Sequence, residues 1–131
     1  MDRIDMWVPV LHVDYDTLLQ KEDGEGSAIV RERVIQARNF ARERFTKEGT
    51  PYLTKNKDMR AKDIERHIIL DEACHALMKK LATSHTLSPR AYHRVLRLAR
   101  TIADYRGSPA INEKDILEAF QYRPKLYENR L

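Results

Sequence analysis

The chain has 131 residues, 42% of them apolar, and a formal net charge of +4. That is enough for one domain with a buried core, and no run approaches the roughly 18 apolar residues of a membrane span. A single cysteine, Cys74, excludes an internal disulfide and fits a reducing cytoplasm. Asp2 and Asp5 around Arg3 are not the start of a signal peptide. The net charge hides an asymmetry. Residues 1–26 hold two basic and seven acidic residues, and the remainder holds 22 basic and 13 acidic. A body with a net charge of +9 points to an anionic partner, although solvated helical surfaces share this composition.

In chain order, the first segment is unlike the rest. Ile4, Met6, Val8 and Val10 alternate with Asp5, Trp7 and Pro9, a period of two that predicts a strand. Pro9 removes a ladder donor and confines it to a sheet edge. No second strand follows, so this one is expected to be an orphan, either of a sheet outside the chain or of an arm that pairs with another copy. Residues 14–26 read as an acidic connector that Gly24 and Gly26 keep out of helix.

Ser27 is expected to open a helix to about Glu48, with Val30, Val34, Ala37, Ala41 and Phe45 as its buried stripe. Arg31, Arg33, Arg38, Arg42 and Arg44 would cover much of the remainder, and Gly49 and Pro51 end it. Residues 50–58 read as a polar loop with Lys55, Asn56 and Lys57 exposed. A short helix is expected over about Arg60 to His67. The next runs from Asp71 to about Thr83, with Leu70, Ala73, Cys74, Leu77 and Leu81 at core spacing.

The strongest local signals lie in Leu87 to Gly107. Ser88 suits an N-cap, Pro89 the first helical position, and Leu87 and Tyr92 a hydrophobic staple. Ala91, Val95, Leu98, Ala99, Ile102 and Ala103 form the core stripe, while Arg90, Arg94 and Arg97 share another face. A last helix is expected from Asn112 to about Tyr122, with Asp115 completing a capping box and Ile111 stapled to Ile116. Residues 124–131 read as a frayed tail. The fold class is therefore all-α, a bundle of four to five helices preceded by one orphan β-strand.

Self-contained catalysis finds little support. His12, His67, His75, His85 and His93 match no metal-ligand spacing, so no metal-binding residue is expected. Cys74 falls on a core face, which disfavours a nucleophile. Only four glycines are present, none in a phosphate-cradling loop. Asp71–Glu72 reads as a helix start.

Four segments, in order, carry a family resemblance: DRIDMWVPV, RERVIQARNFARERF, LSPRAYHRVLRLARTIAD and the EAFQYR of Glu118 to Arg123. Together they resemble the magnesium-chelatase-like AAA+ ATPases of the competence protein ComM (YifB) type, over most of residues 1–123. The resemblance implies the C-terminal part of such an ATPase, whose ATP-binding core with Walker A and Walker B motifs would precede Met1. Residues 1–13 would be the last core strand and arginine-finger segment, 14–26 a linker, 27–123 the helical lid and 124–131 a tail.

Further implications attach to single residues. Arg3, in the D-R-[IF]-D pattern, would be an arginine finger reaching a neighbouring subunit's site, and Arg90, in L-S-x-R, the sensor-2 residue that meets nucleotide phosphate. Arg94, Arg97 and Arg100 read as lid-surface or salt-bridge residues. Two positions depart from the family pattern: Ala41 stands where glutamine is usual, and Pro89 replaces the alanine of L-S-A-R.

The resemblance also implies an ATP-driven hexameric motor acting on DNA in branch migration during natural transformation. It would use ATP and Mg²⁺ in the full-length protein, with the fragment alone binding neither and not hydrolysing ATP. Its partners would be the ATPase core of the same protein and DNA, with no membrane. The alternative from the residues alone is a helical nucleic-acid-binding module or an interaction adaptor, and a subunit of a magnesium chelatase is a third reading.

Overall fold

The computed structural model describes residues 3–20 and 23–124. Among these the architecture is all-helical: α1 (Tyr15–Leu19), α2 (Ser27–Lys47), α3 (Ala61–His67), α4 (Glu72–Ser84), α5 (Pro89–Tyr105) and α6 (Glu113–Gln121), with a 3₁₀ turn over Asn56–Asp58. The expected tail of residues 124–131 lies outside the described residues except for Pro124.

The helices begin and end for identifiable chemical reasons. At the start of α5 the Ser88 hydroxyl accepts the Ala91 amide at 3.1 Å, with Pro89 in the first turn. Its end is a Schellman motif: Gly107, at φ +71°, lets its own amide reach the Asp104 carbonyl and the Ser108 amide reach the Ala103 carbonyl. The end of α2 repeats this at Gly49, at φ +81°. After α4 the same left-handed position is held by Thr86, at φ +49°, although a β-branched side chain is strained there. For α6, the Asn112 side chain accepts the Asp115 amide and Asp115 accepts the Asn112 amide, both at 2.9 Å.

The five helices α2 to α6 make the bundle, and α5 is its central element, packed against α2, α3 and α6. Phe45, Cys74, Met78 and Ile116 are fully buried, joined by Met59 from the loop before α3. Ile111 and Ile116 are both buried, as a staple at the start of α6 requires. Burial pushes the Cys74 thiol up to about 12, with the nearby Asp71 carboxylate adding to it. A thiol so protonated is an inert hydrophobe rather than a nucleophile.

Several expectations are corrected. No strand forms over residues 4–10; the segment is extended, and its backbone tie to the bundle is the Trp7 amide on the Tyr122 carbonyl at 2.7 Å. Alternation alone cannot make a strand without a second strand to pair with. The acidic connector is not wholly irregular, because Asp14 accepts the Thr17 amide at 2.8 Å and starts the short α1. The stripe of α2 is buried only at its C-terminal end, where Ala41 and Phe45 lie, while Val30 and Val34 are exposed. Ala73 is exposed too, with Met78 taking a core place on α4. Asn56 and Arg44, expected at the surface, are buried.

Candidate functional site

The arginines of α5 separate by what they touch. Arg94 donates from Nη1 to the Ile4 carbonyl at 3.1 Å, and its Nε lies 3.2 Å from Asp5 Oδ1. Arg97 donates to the Lys57 and Met59 carbonyls at 3.3 and 3.2 Å, holding the loop before α3. Arg100 is buried and donates to Asp104 Oδ1, the Pro109 carbonyl and the Ser108 carbonyl. Burial pushes the Arg100 guanidinium below its usual pKa, with Arg44 acting in the same direction and Asp104 opposing.

Arg90 differs. It is exposed in the first turn of α5 and has no hydrogen-bond or ion-pair partner among the described residues. A cation at that position faces the positive end of the helix dipole, a cost of about 0.3–1 kcal/mol. An anion brought to it would meet the guanidinium and the first-turn amides together.

Arg3 is also exposed. The structure brings its segment to the same end of α5, because Arg94, one turn after Arg90, grips Ile4 and Asp5 directly beside Arg3. The segment that carries Arg3 is thus held against Arg94, one helical turn along α5 from Arg90.

A second cluster was not legible as such in the sequence. Asp104, buried, accepts Arg44 Nε and Nη2 at 3.1 Å each, Arg100 Nε at 3.1 Å and Asn56 Nδ2 at 2.7 Å. Arg44 Nη2 also donates to Asn56 Oδ1 at 2.6 Å, and its Nη1 lies 3.5 Å from Glu48 Oε2. Glu48 in turn contacts His67 Nδ1, while His67 Nε2 is 2.9 Å from Thr50 Oγ1. This chain of polar groups joins α2, the 3₁₀ turn, α3 and α5. Its members mostly satisfy one another, so it fixes the packing of the bundle rather than presenting a reactive group. One signal was available: Leu96, Arg100 and Asp104 share helical spacing along the flank of the core stripe.

Arg90 is thus an exposed cation at a helix start, a place suited to an anion. The described residues contain no group of three His, Cys, Asp or Glu side chains placed to hold a metal ion. No helix among them is long and apolar enough to cross a membrane.

Comparison with known proteins agrees with the motifs. Residues 24–123 match the family model described as magnesium chelatase, subunit ChlI C-terminal. The chain is 36% identical over 124 residues to competence protein ComM of Haemophilus influenzae, covering 94% of this chain and 23% of that protein. It is 31% identical over 102 residues to protein YifB of Salmonella typhimurium, covering 76% of this chain and 18% of that protein. The chain therefore spans less than a quarter of the length of these relatives. A helical bundle of this order, a family match over most of its length and two relatives of one type lead to a single assignment: the chain belongs to the magnesium chelatase subunit ChlI C-terminal family.

Proposed function

We propose that the chain is the lid and subunit-interface element of a ComM-like AAA+ ATPase, with Arg90 as its phosphate sensor and Arg3 as an arginine finger. The observation that carries this reading is the isolation of Arg90. Arg94, Arg97 and Arg100 all have partners within the chain, whereas Arg90 stands exposed at a helix start where it costs stability. A guanidinium there would be explained by an anion delivered from elsewhere, and the resemblance of the segment to the L-S-x-R motif supports nucleotide phosphate as that anion.

In this mechanism ATP with its Mg²⁺ supplies the phosphoryl group to be transferred. Arg90 would contact phosphate bidentately and so couple the position of α5 to nucleotide state. Arg3 would reach the site of the neighbouring subunit and stabilise charge on the transferring phosphoryl group, a contact worth roughly 10³–10⁵ in rate. Arg94 acts as a positioning residue, because its grip on Ile4 and Asp5 ties the finger segment to the sensor helix. The parent protein would be a hexamer driving branch migration of DNA; the name of the Haemophilus relative, a competence protein, supports that direction.

The reading of a free nucleic-acid-binding module draws less support, since Arg44, Arg94, Arg97, Arg100 and Arg106 are engaged by internal acceptors. The test uses the full-length protein that carries this chain. Arg3→Ala should leave nucleotide binding largely intact and sharply reduce steady-state hydrolysis, and Arg90→Ala should lower hydrolysis and uncouple it from nucleotide-driven movement of the lid. Hydrolysis at the unmodified rate in both variants would refute the assignment.

A further inference from the structure

Arg90 and Arg94 stand one turn apart on the same face of α5, close enough for one ligand to meet both. Arg90 is exposed and has no partner among the described residues, whereas Arg94 holds the N-terminal segment. The hold is uneven. Nη1 donates to the Ile4 carbonyl at 3.1 Å. On the opposite edge of the guanidinium, Asp5 Oδ1 lies 3.2 Å from Nε, and Nη2 makes no hydrogen bond among the described residues. The Nε and Nη2 edge of an arginine suits an anion that offers two oxygens side by side. Here it meets one.

Asp5 is an easily displaced occupant of that edge. Its side chain is 63% exposed, against 16% for Arg94. An ion pair with a solvent-exposed carboxylate contributes little and weakens as salt is raised. A phosphoryl group brings more charge than a carboxylate and accepts in the two-oxygen geometry the edge offers. Residues 1–26 hold seven acidic and two basic residues, so the chain itself supplies the anion that lies on Arg94.

Displacement would act on the segment that Asp5 belongs to. Ile4 and Asp5 follow Arg3 directly, and beyond them the Trp7 amide is tied to the Tyr122 carbonyl at 2.7 Å. Between these ties the backbone is extended, and Ile4 and Met6 are exposed. Without the Asp5 contact, two backbone hydrogen bonds remain to hold it to the bundle, one at Ile4 and one at Trp7.

We propose that Arg94 is a second phosphate contact beside Arg90, and that Asp5 occupies it until an oligophosphate arrives. An oligophosphate carries adjacent phosphoryl groups, one for each guanidinium. By taking the Nε edge of Arg94 it expels Asp5 and loosens the segment that carries Arg3. The tie between that segment and α5 is then conditional on the anion. This inference rests on the reading of Arg90 as a phosphate contact, and adds to it a ligand class and a response.

The test uses the 131-residue chain, whose single tryptophan, Trp7, reports on the segment. Sodium tripolyphosphate and ATP are titrated at constant ionic strength, with orthophosphate for comparison. Two signals are followed: the side-chain Nε–H resonances of Arg90 and Arg94 by NMR, and the emission and anisotropy of Trp7. Tripolyphosphate and ATP should shift both arginine resonances along one saturation curve. Over the same range Trp7 emission should move to the red and its anisotropy fall. Orthophosphate should bind at least about tenfold more weakly, because it offers one phosphoryl group rather than several. Arg90→Ala should weaken tripolyphosphate binding by about tenfold or more, through loss of a charge-assisted contact. Arg94→Met should weaken it too, and should leave Trp7 loosened before any anion is added. Asp5→Ala should also start loosened, yet bind tripolyphosphate about threefold more tightly, because no carboxylate competes for Arg94.

Tripolyphosphate that shifts Arg90 but leaves Arg94 and Trp7 unmoved would overturn the proposal. So would an affinity that Asp5→Ala leaves unchanged, or binding of ATP without binding of tripolyphosphate. A chain that binds neither overturns it as well. The Arg90 assignment is judged separately, by ATP hydrolysis in the full-length protein, and survives the first two of these outcomes.

Discussion

Helices α2 and α5 are both long and arginine-rich, yet the fold uses them in opposite ways. On α5 the apolar residues return to one side at each turn, and the helix buries Ala91, Val95, Leu96, Ala99 and Ala103 along its length. Three of its arginines then find acceptors within the bundle. On α2 the apolar residues Ile29, Val30, Val34 and Ile35 spread around the first three turns, and burial begins only at Ala41, Arg44 and Phe45. Continuity of the apolar stripe, not arginine content, decides which helix becomes the centre of a bundle and which extends from it. On α5 Arg94, Arg97 and Arg100 become structural ties while Arg90 stays exposed, and on the bare half of α2 Arg33 pairs with Glu25 while Arg31 and Arg38 stay exposed.

The largest effect is expected where α2 and α5 meet. Asp104→Ala would leave Arg44 and Arg100 buried without their shared carboxylate, and should cost about 5 kcal/mol in chemical denaturation. A loss below about 1 kcal/mol would mean the two guanidiniums reach water or other acceptors, and α5 would not be tied to α2 in this way.

The two halves of α2 can be compared directly. Phe45→Ala should cost about 3 kcal/mol, since Phe45 is fully buried, whereas Val34→Ala, 40% exposed, should change stability by no more than about 0.5 kcal/mol at concentrations where the chain is monomeric. Similar losses at both positions would show that the first half of α2 is covered within the monomer. The smallest effect is a gain: Thr86→Gly should stabilise the chain by about 1 kcal/mol, because glycine adopts the left-handed angle at Thr86 without strain. A thermal midpoint that falls on this change would show that the Thr86 side chain contributes packing worth more than its strain.

What the sequence determined by itself was whatever depends on neighbours a few residues apart. Ser88 and Pro89, Asn112 with Asp115, and Gly49 and Gly107 are local signals, and the limits of α2, α5 and α6 follow from them within a residue or two. The all-helical class followed from the same periodicities, and the family followed from ordered motifs. Arg90 was legible as the arginine set apart by its place in L-S-P-R. The period-two pattern of residues 4–10 failed as a strand because a strand is a property of two segments, and only one is present among the described residues.

The tertiary structure decided what depends on residues far apart in the chain. Arg44 and Asn56 look like surface residues in any local window, and they are buried because Asp104, 60 and 48 positions away, accepts hydrogen bonds from both. Val30 and Val34 have core spacing yet stay exposed, since the buried residues of α2 are Ala41, Arg44 and Phe45 in its second half. That Arg94 is held by Ile4 and Asp5 while Arg90 stays exposed was decided only once the chain had folded that segment back against α5.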